Sequence, residues 1–251
     1  DDEDRYLFVG GYHDGRVSMM RLSEDGGVAE IADGIFHKGL GRGVAERASR
    51  PHVHCVKVTP DQKFLCAVDS GLDHVKIYRI KLADILRCEL HSGPRMIRFS
   101  VDGRFAYVLC ELKNTVDVYK YYVEDDQPVF ERVQSISTDY EDEGIACNAS
   151  GIEHSADGKY LFVSNAGIND VIIYKIDKNT GMLTLDMETR ISGDYPKALA
   201  VFPDGHHFVS LNHDSNEIRT FKINYEKKYC LMDARPVQVE TPNCIYIHKL
   251  K

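Results

Sequence analysis

The stretch PDQKFLCAVDSGLDHVKIY at residues 60–78 recurs without gaps three more times. The copies are VDGRFAYVLCELKNTVDVY at 101–119, ADGKYLFVSNAGINDVIIY at 156–174 and PDGHHFVSLNHDSNEIRTF at 203–221. Each has a turn aspartate as its second residue: Asp61, Asp102, Asp157 and Asp204. Eight residues on stand Asp69, Cys110, Asn165 and Asn212, and four further Asp73, Asn114, Asn169 and Asn216. Five more bring an aromatic: Tyr78, Tyr119, Tyr174 and Phe221. A degenerate fifth copy, EDRYLFVGGYHDGRVSMM at 3–20, opens the chain with Glu3 in the aspartate place.

The physics of one copy predicts a sheet. HVHCVKVT (52–59) and PKALAVF (196–202) are short and apolar with little alternation, as a strand buried on both faces requires. Asp-Gly then supplies a tight turn, because glycine accepts positive φ and aspartate bonds its own backbone. KYLFVSN (159–165) reads as the second strand, DVIIYKI (170–176) as the third, and the more polar LTLDMETRI (183–191) as the fourth. Four antiparallel strands recurring every 41 to 55 residues define an all-β fold, a β-propeller of four-stranded blades forming one domain over 1–251. The first copy begins at its second strand, so the chain holds about five blades. Propeller closure commonly takes four to eight, and an open ring would leave two raw edges. The expectation is therefore a larger ring, with about two blades preceding residue 1.

Composition narrows the function classes. A net charge of −8 argues against nucleic acid or an acidic membrane as partner, so any anionic ligand needs cations gathered locally. The chain carries no membrane-length apolar run and opens on no signal-peptide pattern. The seven cysteines are odd in number, form no C-x-x-C pair and mostly sit in apolar runs, which fits free thiols in a reducing cytoplasm. DYEDEG (139–144) hints at a calcium loop, but Ser150 stands where the closing glutamate belongs, and a solvated acidic loop is the reading kept. No Gly-x-Ser-x-Gly elbow offers a serine nucleophile. His74, His91, His206 and His248 fall at turns or strand ends and read as surface residues.

The innermost strand of each blade lines the central channel, and the second strand runs back to the same rim. Seven residues before each turn aspartate stand His54, Arg95, Ser150 and Lys197; nine residues after it stand Ser70, Glu111, Ala166 and His213. His52, Glu153 and Asn165 lie nearby on the same strands. Among Val, Ile and Leu neighbours, this set could bind an anion and move a proton, although polar residues in a channel can also serve hydration alone.

Four segments carry a family resemblance: RPHVHCVKVTPDQKFLCAVDSGLDHVKIY (50–78), SGPRMIRFSVDGRFAYVLCEL (92–112), ASGIEHSADGKYLFVSNAG (149–167) and YPKALAVFPDGHHFVSLNHDSNEI (195–218). They resemble the Pro-His-x-His, Gly-Pro-Arg, Ser-Asn-Arg and Pro-Arg blades of the seven-bladed lactonase family, which includes propeller-type 6-phosphogluconolactonases and fungal muconate lactonizing enzymes. The resemblance implies a seven-bladed ring and hydrolysis of a sugar lactone, foremost 6-phosphogluconolactone, with no metal or cofactor. It places the functional histidine on His52 or His54, the arginine on Arg95 and the acid on Glu111. Two family arginines are replaced, by Ala166 and by Lys197. The expected roles are Glu111 or His52 as base, with Arg95 on the oxyanion. Lys197, with His54 or His213, would hold a phosphate, and Asn165 and Glu153 would make further substrate contacts. Muconate-type chemistry and a non-catalytic binding scaffold are the alternatives. Oligomeric state is not legible.

Overall fold

The fold is taken from a computed structural model, which describes residues 3–41, 49–79, 82–140 and 146–247. Among the described residues, twenty strands form five separate antiparallel sheets. The first contains β1 (Tyr6–Gly11), β2 (Arg16–Leu22) and β3 (Val28–Phe36). The second contains β4 (Val53–Val58), β5 (Leu65–Asp69), β6 (His74–Tyr78) and β7 (Leu82–Arg87). The third contains β8 (Pro94–Phe99), β9 (Phe105–Cys110), β10 (Thr115–Glu124) and β11 (Gln127–Ser137). The fourth contains β12 (Asn148–His154), β13 (Tyr160–Ala166), β14 (Asp170–Ile176) and β15 (Leu183–Arg190). The fifth contains β16 (Pro196–Val201), β17 (His207–Asn212), β18 (Glu217–Asn224) and β19 (Tyr229–Met232), and β20 (Val237–Gln238) also pairs with β18.

Strand order follows chain order within each sheet, so each is an up-and-down blade. The turn chemistry is as the residues require. Gly103, Gly158 and Gly205 adopt φ of 72°, 69° and 72°, while Gln62 takes that place in the copy without glycine. Asp102 and Asp157 each accept two backbone or hydroxyl hydrogen bonds within their own turns.

The core lies between blades. Phe64, Cys66, Val68 and Ile77 of the second sheet pack on Ile97, Phe99, Val108 and Tyr119 of the third. Tyr107, Leu109 and Val118 of the third meet Ile152, Val163 and Tyr174 of the fourth, and Phe162 and Ile173 of the fourth meet Phe208 and Phe221 of the fifth. A strand sandwiched this way is covered on both faces, which is why the repeats lack polar alternation. Cys66 and Cys110 are fully buried, all seven thiols are free, and burial pushes the Cys110 thiol up to about 12.

Two features depart from the repeat. The first sheet has no strand inside β1 among the described residues, and β3 is exposed along its whole length. His74 is half-buried rather than a surface residue, because it opens β6 beside the buried Asp69. Most of the acidic loop at 139–144 lies outside the described residues, as does His248.

Candidate active site

In all four complete blades the pairing of first and second strands slips once, at the same place. The register steps from Val53 to Cys55, from Pro94 to Met96, from Ala149 to Gly151 and from Pro196 to Ala198. The extra residue is His54, Arg95, Ser150 and Lys197 in turn. A β-bulge leaves one residue unpaired and re-aims its side chain. Here all four bulged residues line one cavity of about 1010 Å³ along the inner strands.

Three of the four bulges, those at Arg95, Ser150 and Lys197, are held from the preceding blade, and the segment that follows the fifth blade is held in the same way. The second-turn residues Asp73, Asn114, Asn169 and Asn216 all sit at positive φ, between 51° and 63°. Asp73 accepts the Gly93 N–H at 3.1 Å, Asn114 the Ala149 N–H at 2.9 Å and Asn169 the Tyr195 N–H at 3.0 Å. Asn216 accepts the Thr241 N–H at 2.8 Å. Each captured amide lies one or two residues before a cavity residue. The fourth clamp marks one more member of the inner ring, outside the four repeats. Thr241-Pro242-Asn243 reproduces the Gly93-Pro94-Arg95 spacing, and Asn243 lines the cavity with the bulged residues.

At the mouth, Arg95 Nη1 donates to Glu111 Oε2 at 3.1 Å and Arg95 Nε donates to the Ser150 carbonyl at 2.8 Å. His54 Nε2 stands 3.8 Å from the same Glu111 oxygen. The His54 ring meets Tyr12 edge-on, with centroids 4.5 Å apart. Tyr12 in turn stacks on His52 at 4.4 Å, and the Tyr12 carbonyl lies 2.8 Å from His52 Nδ1. Tyr12 is nine residues after Glu3 in the degenerate first copy. The spacing that marked Glu111 would have found it.

The inner strands thus bring His54, Arg95 and Lys197 to one cavity, with Glu111 directly behind Arg95 and His54. Glu111 is only 2% exposed, and like Ser70, Ala166 and His213 it does not itself line the cavity. Second strands lie one strand spacing further from the axis, so their ends sit beneath the rim. His52 is also 2% exposed and outside the lining, because the bulge turns His54 inward and leaves His52 under Tyr12. Asn165 is fully buried and spends its amide on the Thr138 carbonyl and Asp170 Oδ1. His213 is half-buried near Tyr195, its Nδ1 enclosed without a hydrogen-bond partner among the described residues. Glu153 does line the cavity, three residues below the mouth, where its Oε2 accepts from Arg98 Nε at 3.1 Å.

The charge balance of the cavity opposes that of the chain. Its charged lining is Lys57, Arg95, Arg98 and Lys197 against Glu153, whereas the chain carries −8. A concave site with focused positive charge raises the local concentration of anions. An imidazole beside a carboxylate, next to an arginine fixed on two sides, can accept a proton from water and stabilise negative charge on oxygen.

Fold and site together define a β-propeller with a cationic, histidine-bearing channel mouth. Residues 1–247 match the family described as Lactonase, 7-bladed beta-propeller, and the chain belongs to that family. It is 26% identical over 256 residues to the 6-phosphogluconolactonase of Bacillus subtilis (strain 168), covering 100% of this chain and 72% of that one. An uncharacterized protein of Lactococcus lactis subsp. cremoris is 31% identical over 227 residues, covering 88% of this chain and 65% of its own length. Among solved structures, the periplasmic gluconolactonase of Pseudomonas aeruginosa superposes with a TM-score of 0.87 at 28% identity, over 96% of this chain and 69% of that one.

Proposed function

We propose that this protein hydrolyses a sugar lactone, 6-phosphogluconolactone foremost, at the channel mouth. The observation that carries the reading is the convergence of Arg95 and His54 on Glu111 at the edge of a cationic cavity. The Bacillus subtilis relative supports the substrate by its name, and the Pseudomonas aeruginosa structure supports a gluconolactone more broadly.

The steps follow from what lactone hydrolysis needs: a base for water, a partner for the oxyanion and a proton for the leaving alkoxide. His54 faces the cavity and takes a proton from water as the water oxygen adds to the lactone carbonyl carbon. Glu111 orients that imidazole and balances its charge. Arg95 has its Nε and Nη1 committed to Ser150 and Glu111, and its Nη2 makes no hydrogen bond among the described residues. That edge neutralises the tetrahedral oxyanion. As the ring C–O bond breaks, His54 returns its proton to the departing oxygen, leaving an open-chain acid. Lys197, bulged into the same mouth, binds substrate, and Asn243 adds a neutral polar contact. In this reading His52 fixes Tyr12 and, through it, the His54 ring, while Asn165 and His213 support the rim from behind.

We place the reaction in the cytoplasm, where seven thiols remain reduced. The test of the function is formation of 6-phosphogluconate, followed with a coupled dehydrogenase and corrected for spontaneous hydrolysis. Acceleration supports the hydrolase. Its absence would leave a propeller that holds anions without turning them over.

A further inference from the structure

Below the mouth the inner strands present a second layer. Three residues beyond His54, Arg95, Ser150, Lys197 and Asn243 stand Lys57, Arg98, Glu153, Ala200 and Tyr246, and all five line the same cavity. At about 3.3 Å per residue this layer lies about 10 Å deeper than the first. Its members differ in how they are held. Arg98 is half-buried, with Nε on Glu153 Oε2 at 3.1 Å and Nη1 on its neighbour's carbonyl, that of Ile97, at 3.1 Å. Lys57 is exposed and makes no ion pair among the described residues. Ala200 keeps one side of the layer small.

We propose that this lower layer is a phosphate site, in which Lys57 and Arg98 hold the phosphate of a sugar lactone whose carbonyl lies at Arg95. The inference rests on the hydrolase reading above and deepens it. It moves the phosphate away from Lys197, the position that the repeat and the family resemblance suggest for it. Three considerations carry it. A phosphate monoester dianion needs more than one cation, and the lower layer offers two against a single carboxylate. Arg98 is already oriented by Glu153 and Ile97, so little side-chain freedom is lost on binding. The gap between layers matches an extended six-carbon chain with long cationic side chains reaching inward from each end. Glu153, in this arrangement, positions the Arg98 fork, and Lys57 supplies the mobile charge.

The test uses the complete chain and inorganic phosphate as probe. Phosphate binding is titrated calorimetrically in wild type and in Lys57→Glu, a variant whose exposed side chain leaves the fold intact. Kinetics are measured in parallel on 6-phosphogluconolactone and on unphosphorylated gluconolactone. The expected results are at least about tenfold weaker phosphate binding in the variant and a KM at least about tenfold higher for the phosphorylated lactone. The parameters for the unphosphorylated lactone should move by no more than about threefold, well below the change in KM for the phosphorylated one, and phosphate should compete with the phosphorylated substrate. Equal phosphate affinity in both proteins, or none in wild type, overturns the site. Binding of phosphate without competition overturns its assignment to the substrate. Because the titration needs no turnover, loss of phosphate binding in a protein that hydrolyses nothing would retain the site and discard the hydrolase. Arg98→Lys, which keeps the charge and gives up the fork, should raise the same KM by a smaller factor.

Discussion

Arg95 and Glu111 lie sixteen residues apart in one blade and meet at 3.1 Å, the first as the bulged residue of β8 and the second immediately after β9. Antiparallel pairing returns the chain to the rim it left, and the bulge turns the arginine toward the returning carboxylate. His54 of the neighbouring blade completes the group.

Replacing His54 by Gln keeps a polar side chain of similar reach but removes the proton acceptor. Turnover should fall by about 10²–10⁴ with the melting temperature little changed. Glu111→Gln removes the charge behind the imidazole and should cost less, on the order of 10–10², because the base itself remains. Steady-state kcat for both variants checks the order.

Arg95→Lys preserves the positive charge and gives up the geometry that serves Ser150, Glu111 and the oxyanion together. The expected outcome is a drop in kcat of about 10²–10³ with KM nearly unchanged, the signature of an interaction made in the transition state. A rise in KM alone would assign Arg95 to ground-state binding.

His52 distinguishes support from chemistry. Phe at this position retains the stack on Tyr12 and should leave turnover within about tenfold of wild type, below the loss expected of a general base. Ala opens a buried cavity and should destabilise the fold by about 2–4 kcal/mol in urea unfolding. If His52→Phe lost as much activity as His54→Gln, the division of roles would be wrong.

The clamps between blades should appear in stability. Asn114→Ala strips the partner from the Ala149 N–H and from the Cys147 carbonyl, and a loss of about 1–3 kcal/mol is expected in denaturant titration. Since the captured amide adjoins Ser150, whose carbonyl holds Arg95, a lower kcat should accompany it.

Acid should weaken the second blade through His74. Burial is the largest influence on this imidazole and brings it from 6.5 to about 4. Between those values the unfolded chain takes up a proton that the folded protein refuses, so stability falls as pH drops from 6.5 toward 4 and the His74 contribution then levels off. Asp69 is also depressed: burial works against its ionisation, but hydrogen bonds from His37 and His52 outweigh it. Its contribution is present above the ordinary carboxylate range and is lost at more acid pH, as its folded value is crossed. His74→Gln should flatten the stability profile between pH 6.5 and 4 and leave the more acid limb in place.

The architecture was legible because the turn residues obey the same spacing in four copies, and each spacing has a local cause. Asp-Gly makes one hairpin, and the residue twelve positions after that glycine's neighbour Asp, Asn114 for example, accepts positive φ at the next. The inner ring was legible for the same reason, since a constant offset from the turn lands on the bulge every time. The bulge itself was not. Simple alternation puts His52 and His54 on one face, and only an extra residue in the ladder separates a stacked, buried ring from one at the cavity. Asn165 read as a contact for substrate because its neighbours reach the rim, but its amide is consumed by Thr138 and Asp170. Tyr12 lay in the copy whose turn residues had drifted furthest.

The central claim is that the channel mouth is the catalytic centre for lactone hydrolysis. Its most direct test is the rate of 6-phosphogluconate formation by wild type and His54→Ala, measured together against the spontaneous reaction. The account predicts clear acceleration by wild type and loss of about 10²–10⁴ of it in the variant. Equal acceleration by both proteins would contradict it.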